Sequence, residues 1–209
     1  MSAVATLAAP PMTADAGRGD DGPASVAVVV AYGFWIFLLS DVVMFSALFA
    51  TYAVLSGQTA GGPNGHDLFS LRNAAIETAC LLVSSYTCCL GAVAIERRRM
   101  AWFYLCAACT FALGAGFLAL EISEFASMVA RGAGPSRSAF LSAFFALVGL
   151  HGVHVTIGLL WLTFTVTQIS VRGAQAFVLR RLACFNLFWH ALDIIWVALL
   201  TLVYLMGAR

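Results

Sequence analysis

Apolar positions fall into five long runs, at about 27–55, 72–95, 101–128, 138–168 and 182–206, with short polar or glycine-rich breaks between them. A helix needs about 20 apolar residues to cross a hydrocarbon core of roughly 30 Å, so each run is long enough to span a bilayer. The breaks are turn-rich or basic. Ser56 to Ser70 holds Gly57, Gly61, Gly62, Pro63, Asn64 and Gly65; Glu96-Arg97-Arg98-Arg99 makes the second break. The third contains Arg131, Gly132, Gly134, Pro135 and Arg137, and the fourth Arg172, Gly173, Arg180 and Arg181. Proline is absent from the centres of all five runs, and neither an inverted repeat nor paired broken helices of the transporter kind is visible. The pattern predicts an all-α integral membrane protein, a stiff bundle of five transmembrane helices over residues 26–209. It is preceded by a disordered, cytoplasmic Ala-, Pro-, Gly- and Asp-rich tail over 1–25 that makes a poor signal peptide.

Composition agrees. Of 209 residues 62% are hydrophobic and only 10% are charged, against about a quarter charged in a soluble domain. A net charge of +1 without a basic stripe argues against nucleic-acid binding. All eleven cationic residues are Arg, which removes Schiff-base and P-loop lysine chemistry. The six cysteines all lie in apolar runs, so a disulfide framework is not expected, and Cys106-x-x-Cys109 reads as helix packing. With the N-terminus in the cytoplasm, Arg18, Arg97, Arg98, Arg99, Arg172, Arg180 and Arg181 lie inside and Arg72, Arg131, Arg137 and Arg209 outside. Seven against four predicts a cytoplasmic N-terminus and a periplasmic C-terminus.

The polar exceptions carry the functional information. Asp41, Glu77, Glu121, Glu124, His151, His154, His190 and Asp193 lie within the runs or near their edges. The pairs Glu121/Glu124, His151/His154 and His190/Asp193 are each spaced three apart, on one helix face. Five carboxylates at roughly 3 kcal/mol apiece add about 15 kcal/mol of insertion cost unless they meet one another, a partner subunit or lipid headgroups. A dimetal site is one use of such residues, although no Glu-x-x-His occurs; a hydrogen-bonded polar layer that sets helix register is the other. His151, His154 and His190 have the chemistry of axial haem ligands. Asp41 could be a step in a proton path or a buried carboxyl bonded to a neighbouring helix. Ser138, Ser142, Ala146, Gly149, Gly152 and Thr156 form a small-residue stripe suited to close helix packing, one reading being against another subunit. Trp35, Trp161, Trp189, Trp196 and Tyr204 are either interfacial anchors or core fillers.

Taken together, four stretches carry a family resemblance: Gly33-Phe34-Trp35-Ile36-Phe37-Leu38-Leu39-Ser40-Asp41, Ser138 through Phe145 to Gly149, His151-Gly152-Val153-His154-Val155-Thr156-Ile157-Gly158, and Trp189 through Trp196. Over residues 30 to 206 the chain resembles subunit III of the haem-copper terminal oxidases, and most closely the short five-helix form of cytochrome bo-type ubiquinol oxidases. It departs where Ala191 replaces the aromatic residue usual after Trp189-His190, which suggests local repacking, and where Asp41 stands for a Glu common in cytochrome c oxidases.

The resemblance implies a noncatalytic subunit of a proton-pumping ubiquinol oxidase in the bacterial inner membrane, with no catalytic residue, metal ligand or haem of its own. Haem and copper belong to the catalytic subunit I of the parent complex; subunit II, a small subunit IV and membrane lipid are the other partners, with phospholipid in a cleft between helices. It places Glu121, Glu124, His151, His154, His190 and Asp193 in a polar interior, with Asp41 and Glu77 as lipid-headgroup or inter-subunit contacts. The alternatives are subunit III of a cytochrome c oxidase with a shortened third subunit, an independent membrane cytochrome b, and a small transporter using Glu121 and Glu124 as proton sites.

Overall fold

In hydrocarbon every backbone N–H and C=O must be paired within the segment, so apolar runs of this length fold as helices. The computed structural model describes residues 26–58 and 71–205. The expected tail over 1–25 and most of the Ser56 to Ser70 loop lie outside the described residues. Five helices follow one another: α1 Val26–Leu55, α2 Leu71–Glu96, α3 Met100–Ala130, α4 Ala139–Arg172 and α5 Ala176–Leu199. All five are long and apolar enough to cross a membrane. A π-helical turn, Leu200–Leu205, continues α5.

The expected runs find their helices, but two ends differ. α4 continues to Arg172, and α5 starts at Ala176, six residues before the apolar run at 182. Hydropathy marks the part of a helix that lies in hydrocarbon, whereas backbone pairing carries the helix on into the polar layer. Arg180 and Arg181 are therefore helical residues of α5 and not part of a loop. α4 is capped at its start by Ser138, whose side chain accepts from the Leu141 N–H at 3.2 Å. It stops at Gly173, where φ is +74° and the N–H returns to the Ile169 carbonyl; a left-handed residue there suits glycine.

Arg97 to Arg99 turn the chain within three residues, with Arg99 N–H donating to the Ala94 carbonyl at 2.9 Å. So short a connection forces α2 and α3 to lie antiparallel and pack along their length. α4 and α5 form the centre of the bundle, with α2 and α3 packed on them from one direction and α1 laid against α4 and α5. α1 is the least buried helix, and Tyr32, Trp35, Ile36, Leu39 and Val43 face outward. The core is aromatic: Phe45, Phe103, Phe117, Phe144, Phe185, Trp189, Trp196 and Tyr204 are fully buried. Trp189, Trp196 and Tyr204 are thus core fillers, while Trp35 is exposed and Trp161 half-buried. Two tryptophans tie α5 to α2: Trp189 Nε1–H donates to Ser84 Oγ and Trp196 Nε1–H to Thr78 Oγ1, each at 3.0 Å.

Candidate functional site

The ionisable residues sort into four neighbourhoods, set by helix crossing and not by order in the chain. Glu77 lies six residues inside the start of α2, and Glu124 six residues before the end of α3. At 1.5 Å of rise per residue both sit about 9 Å from the same end of the bundle. Glu77, Glu121 and Glu124 are all buried and close enough to feel one another's charge. Tyr204, in the π-helical turn, donates its hydroxyl to Glu124. The Glu121 carboxylate rests on Gly152 of α4, where a Cβ would meet its oxygens at 2.7 and 2.8 Å. Glu77 is 1% exposed, so it belongs with the interior carboxyls and not, as expected, at a lipid or subunit surface. An α2 helix apolar on most faces offers no stripe from which the sequence could place it.

His151 is fully buried in an aromatic box. The rings of Phe45 of α1, Phe117 of α3 and Trp196 of α5 surround it at centroid distances of 6.4, 5.7 and 5.2 Å. The imidazole is thus packed among rings from three other helices. His154, one turn on, is only half-buried; its Nδ1 lies 2.9 Å from the Leu150 carbonyl and its Nε2 3.9 Å from Asp41. That pair joins α4 to α1, and His154 also rests against Phe45 and Phe188. Asp193 is buried beside Ser85 of α2 and within electrostatic reach of His190, which is half-exposed on α5. Among the described residues no three His, Cys, Asp or Glu side chains converge on a point that could hold a metal ion.

The sequence reading missed a seam of hydroxyls and a thiol along α2. Thr87 and Thr110 hydroxyls lie 2.8 Å apart, and Cys88 Sγ–H donates to Asn186 Oδ1 at 2.8 Å. With Thr78 and Ser84 beneath the tryptophans, these polar groups join α2 to α3 and α5. The signal in the sequence was the recurrence of Thr78, Ser84, Ser85 and Thr87 along one apolar run.

Two grooves lie along the seam between α1 and α5. One, of about 430 Å³, is lined by Gly33, Phe34, Phe37, Trp161, Arg180 and Arg181, with the arginines at its end. Arg181 stacks over Phe177 at 4.3 Å and bonds Gln168 at 3.2 Å. The second, of about 380 Å³, follows Trp35 to Phe49 on α1 and Leu187 to Ala198 on α5. Ala191 lines it, so the absent aromatic ring leaves an open groove.

Comparison with known proteins adds an independent line. Residues 14–208 match the family described as Cytochrome c oxidase subunit III. The chain is 50% identical over 181 residues to the cytochrome bo(3) ubiquinol oxidase subunit 3 of Pseudomonas aeruginosa, covering 85% of each chain. It is 43% identical over 175 residues to the quinol oxidase subunit 3 of Bacillus subtilis, covering 84% of this chain and 86% of that one. It is 41% identical over 179 residues to the cytochrome c oxidase subunit 3 of Bacillus sp. strain PS3, covering 84% of each.

Proposed function

The chain belongs to the cytochrome c oxidase subunit III family, and from that premise we propose that it is the noncatalytic third subunit of a proton-pumping ubiquinol oxidase of the bacterial inner membrane. The observation that carries the reading is the near-full-length similarity to quinol oxidase third subunits. The interior geometry supports it: the ionisable groups meet one another across helices. Subunit I holds the haem and copper, and the partner subunits carry quinol oxidation and oxygen reduction; this chain supports their assembly and proton uptake. Ser142, Ala146 and Thr156 of the small-residue stripe face outward on α4, where a neighbouring subunit can approach closely.

The positive-inside rule supports a cytoplasmic N-terminus. If each helix crosses the bilayer, Arg97, Arg98, Arg99, Arg172, Arg180 and Arg181 share one side and Arg72, Arg131 and Arg137 the other. Phospholipid lies in the α1–α5 grooves, its phosphate against Arg180 and Arg181 and an acyl chain along the apolar groove beyond. Replacing both arginines with alanine is expected to lower the phospholipid that co-purifies with the complex, measured as phosphorus per haem. An unchanged ratio places the lipid elsewhere.

The test of the main reading is a mild-detergent pull-down with optical spectra. Larger haem-bearing subunits should co-purify, and the chain stripped of them should be colourless; a Soret band on the stripped chain refutes the proposal. Asp41 and His154 pair across α1 and α4 and are part-buried, 15% and 13% exposed. The Asp41→Asn variant is expected to assemble with an unaltered haem spectrum. Loss of the haem signal from an assembled complex would give Asp41 a deeper role. The similarity to the strain PS3 protein favours a second reading, a cytochrome c oxidase with a shortened third subunit. Assaying the purified complex with ubiquinol and with reduced cytochrome c separates the two.

A further inference from the structure

Glu77 and Glu121 use none of the contacts described for the subunit role, yet they are among its most deeply buried polar residues. Both oxygens of Glu77, Oε2 of Glu121 and Oε1 of Glu124 have no hydrogen-bond partner within the chain. Neither ring nitrogen of His151 has one either, and His151 adjoins Gly152, on which the Glu121 carboxylate rests. Buried polar atoms are almost always paired with protein or with internal water, and leaving a carboxyl unpaired in an apolar interior costs several kcal/mol.

The charge balance points the same way. The carboxyls come from two helices, Glu77 from α2 and Glu121 and Glu124 from α3; α4 contributes His151 and, beyond it, His154, and the π-helical turn after α5 contributes Tyr204. Among the described residues the cation within electrostatic reach is Arg131, exposed at the end of α3 and near Glu124. Three carboxyl groups facing one another beside one cation cannot all be ionised in a low-dielectric interior. Two features bring these groups together. Gly152 leaves the space that the Glu121 carboxylate occupies. The wider π-helical turn re-aims the chain after Trp196 so that Tyr204 reaches Glu124; such turns recur at functional sites.

We propose that Glu77, Glu121, Glu124 and Tyr204 enclose an internal water site in which an exchangeable proton is shared among the carboxyls, about 9 Å inside one face of the bundle. Water supplies the donors and acceptors that the unpartnered oxygens lack, and the shared proton removes charge that Arg131 alone does not balance. The site takes a proton and water. It extends toward His151 and stands apart from the Asp41–His154 pair on α1 and α4.

Infrared spectroscopy of the detergent-purified protein, with whatever subunits it carries, tests this. The wild type should show a carboxylic acid C=O band that shifts down within minutes in D2O, and Glu121→Gln should abolish or displace it. Absence of the band, or a band in place but unmoved after hours in D2O, overturns the proposal. Should Glu121→Gln fail to fold, Tyr204→Phe keeps all three carboxyls and removes only the hydroxyl bond to Glu124. The band should then move to higher frequency, and an unmoved band counts against the shared site.

Discussion

Replacing Trp189 with alanine is expected to destabilise the subunit by about 3–5 kcal/mol, the range for truncating a large aromatic in a packed core. Trp189 of α5 is buried against three other helices. Its ring fills the space above Gly114 of α3 and Gly158 of α4, and its indole N–H donates to Ser84 of α2. Alanine removes all three connections at once and leaves Ser84 Oγ without its donor in an apolar interior. Two glycines border the void, and neither has a side chain to move into it, so the site collapses poorly. Denaturant-induced unfolding of the purified subunit in detergent should show a transition at much lower denaturant, and the complex should assemble in reduced yield. A shift below about 1 kcal/mol would mean that neighbouring side chains repack into the space, contrary to this account. Trp189→Phe, which keeps most of the ring volume and loses the N–H, should fall between the two.

Gly158→Ala is expected to cost about 1–2 kcal/mol net, and its sign is the informative part. In an isolated helix the change stabilises by about 1 kcal/mol through propensity. Here the added Cβ would lie 2.7 and 3.0 Å from ring carbons of Trp189 and 3.3 Å from Phe188. The Trp189 ring cannot retreat: Ser84 holds its N–H, and Gly114 already brings it as close as 3.1 Å to where another Cβ would stand. Overpacking a rigid ring costs about 1–3 kcal/mol and in this place exceeds the propensity gain. Gly33→Ala is the control. Nothing lies within 4 Å of its added Cβ, so it should be neutral or slightly stabilising. The same Gly158→Ala change in a Trp189→Leu background should lose much of its penalty, since the two residues touch and their effects do not add. A full penalty in that background would place the strain on Phe188.

The cluster of buried carboxyls shows how far a sequence reading reaches. Glu121, Glu124, His151 and Asp193 were legible as interior residues because ionisable groups in an apolar run must avoid lipid. Glu77 was legible as unusual but not as a member of the same set, because it sits on a different helix, forty-four residues from Glu121. Tyr204 was legible only as an anchor or core filler: its hydroxyl reaches Glu124 from the π-helical turn. Ala191 announced a missing ring, and only the neighbouring α1 helix decides that the outcome is a groove.

By itself the sequence determined five helices, their order and their approximate length, because the bilayer admits no other pairing for a backbone in runs this apolar. Its motifs also sufficed to identify the family, since residues that must be polar in hydrocarbon are few and their spacing is distinctive. Helix ends beyond the hydrocarbon, which of the tryptophans fill the core, and which ionisable groups face one another were decided only by tertiary structure. The physical reason is common to all three. Helices that are apolar on most faces carry no stripe to mark their inner side, so the facing is set by shape: which glycine admits which ring, and which hydroxyl receives which indole N–H.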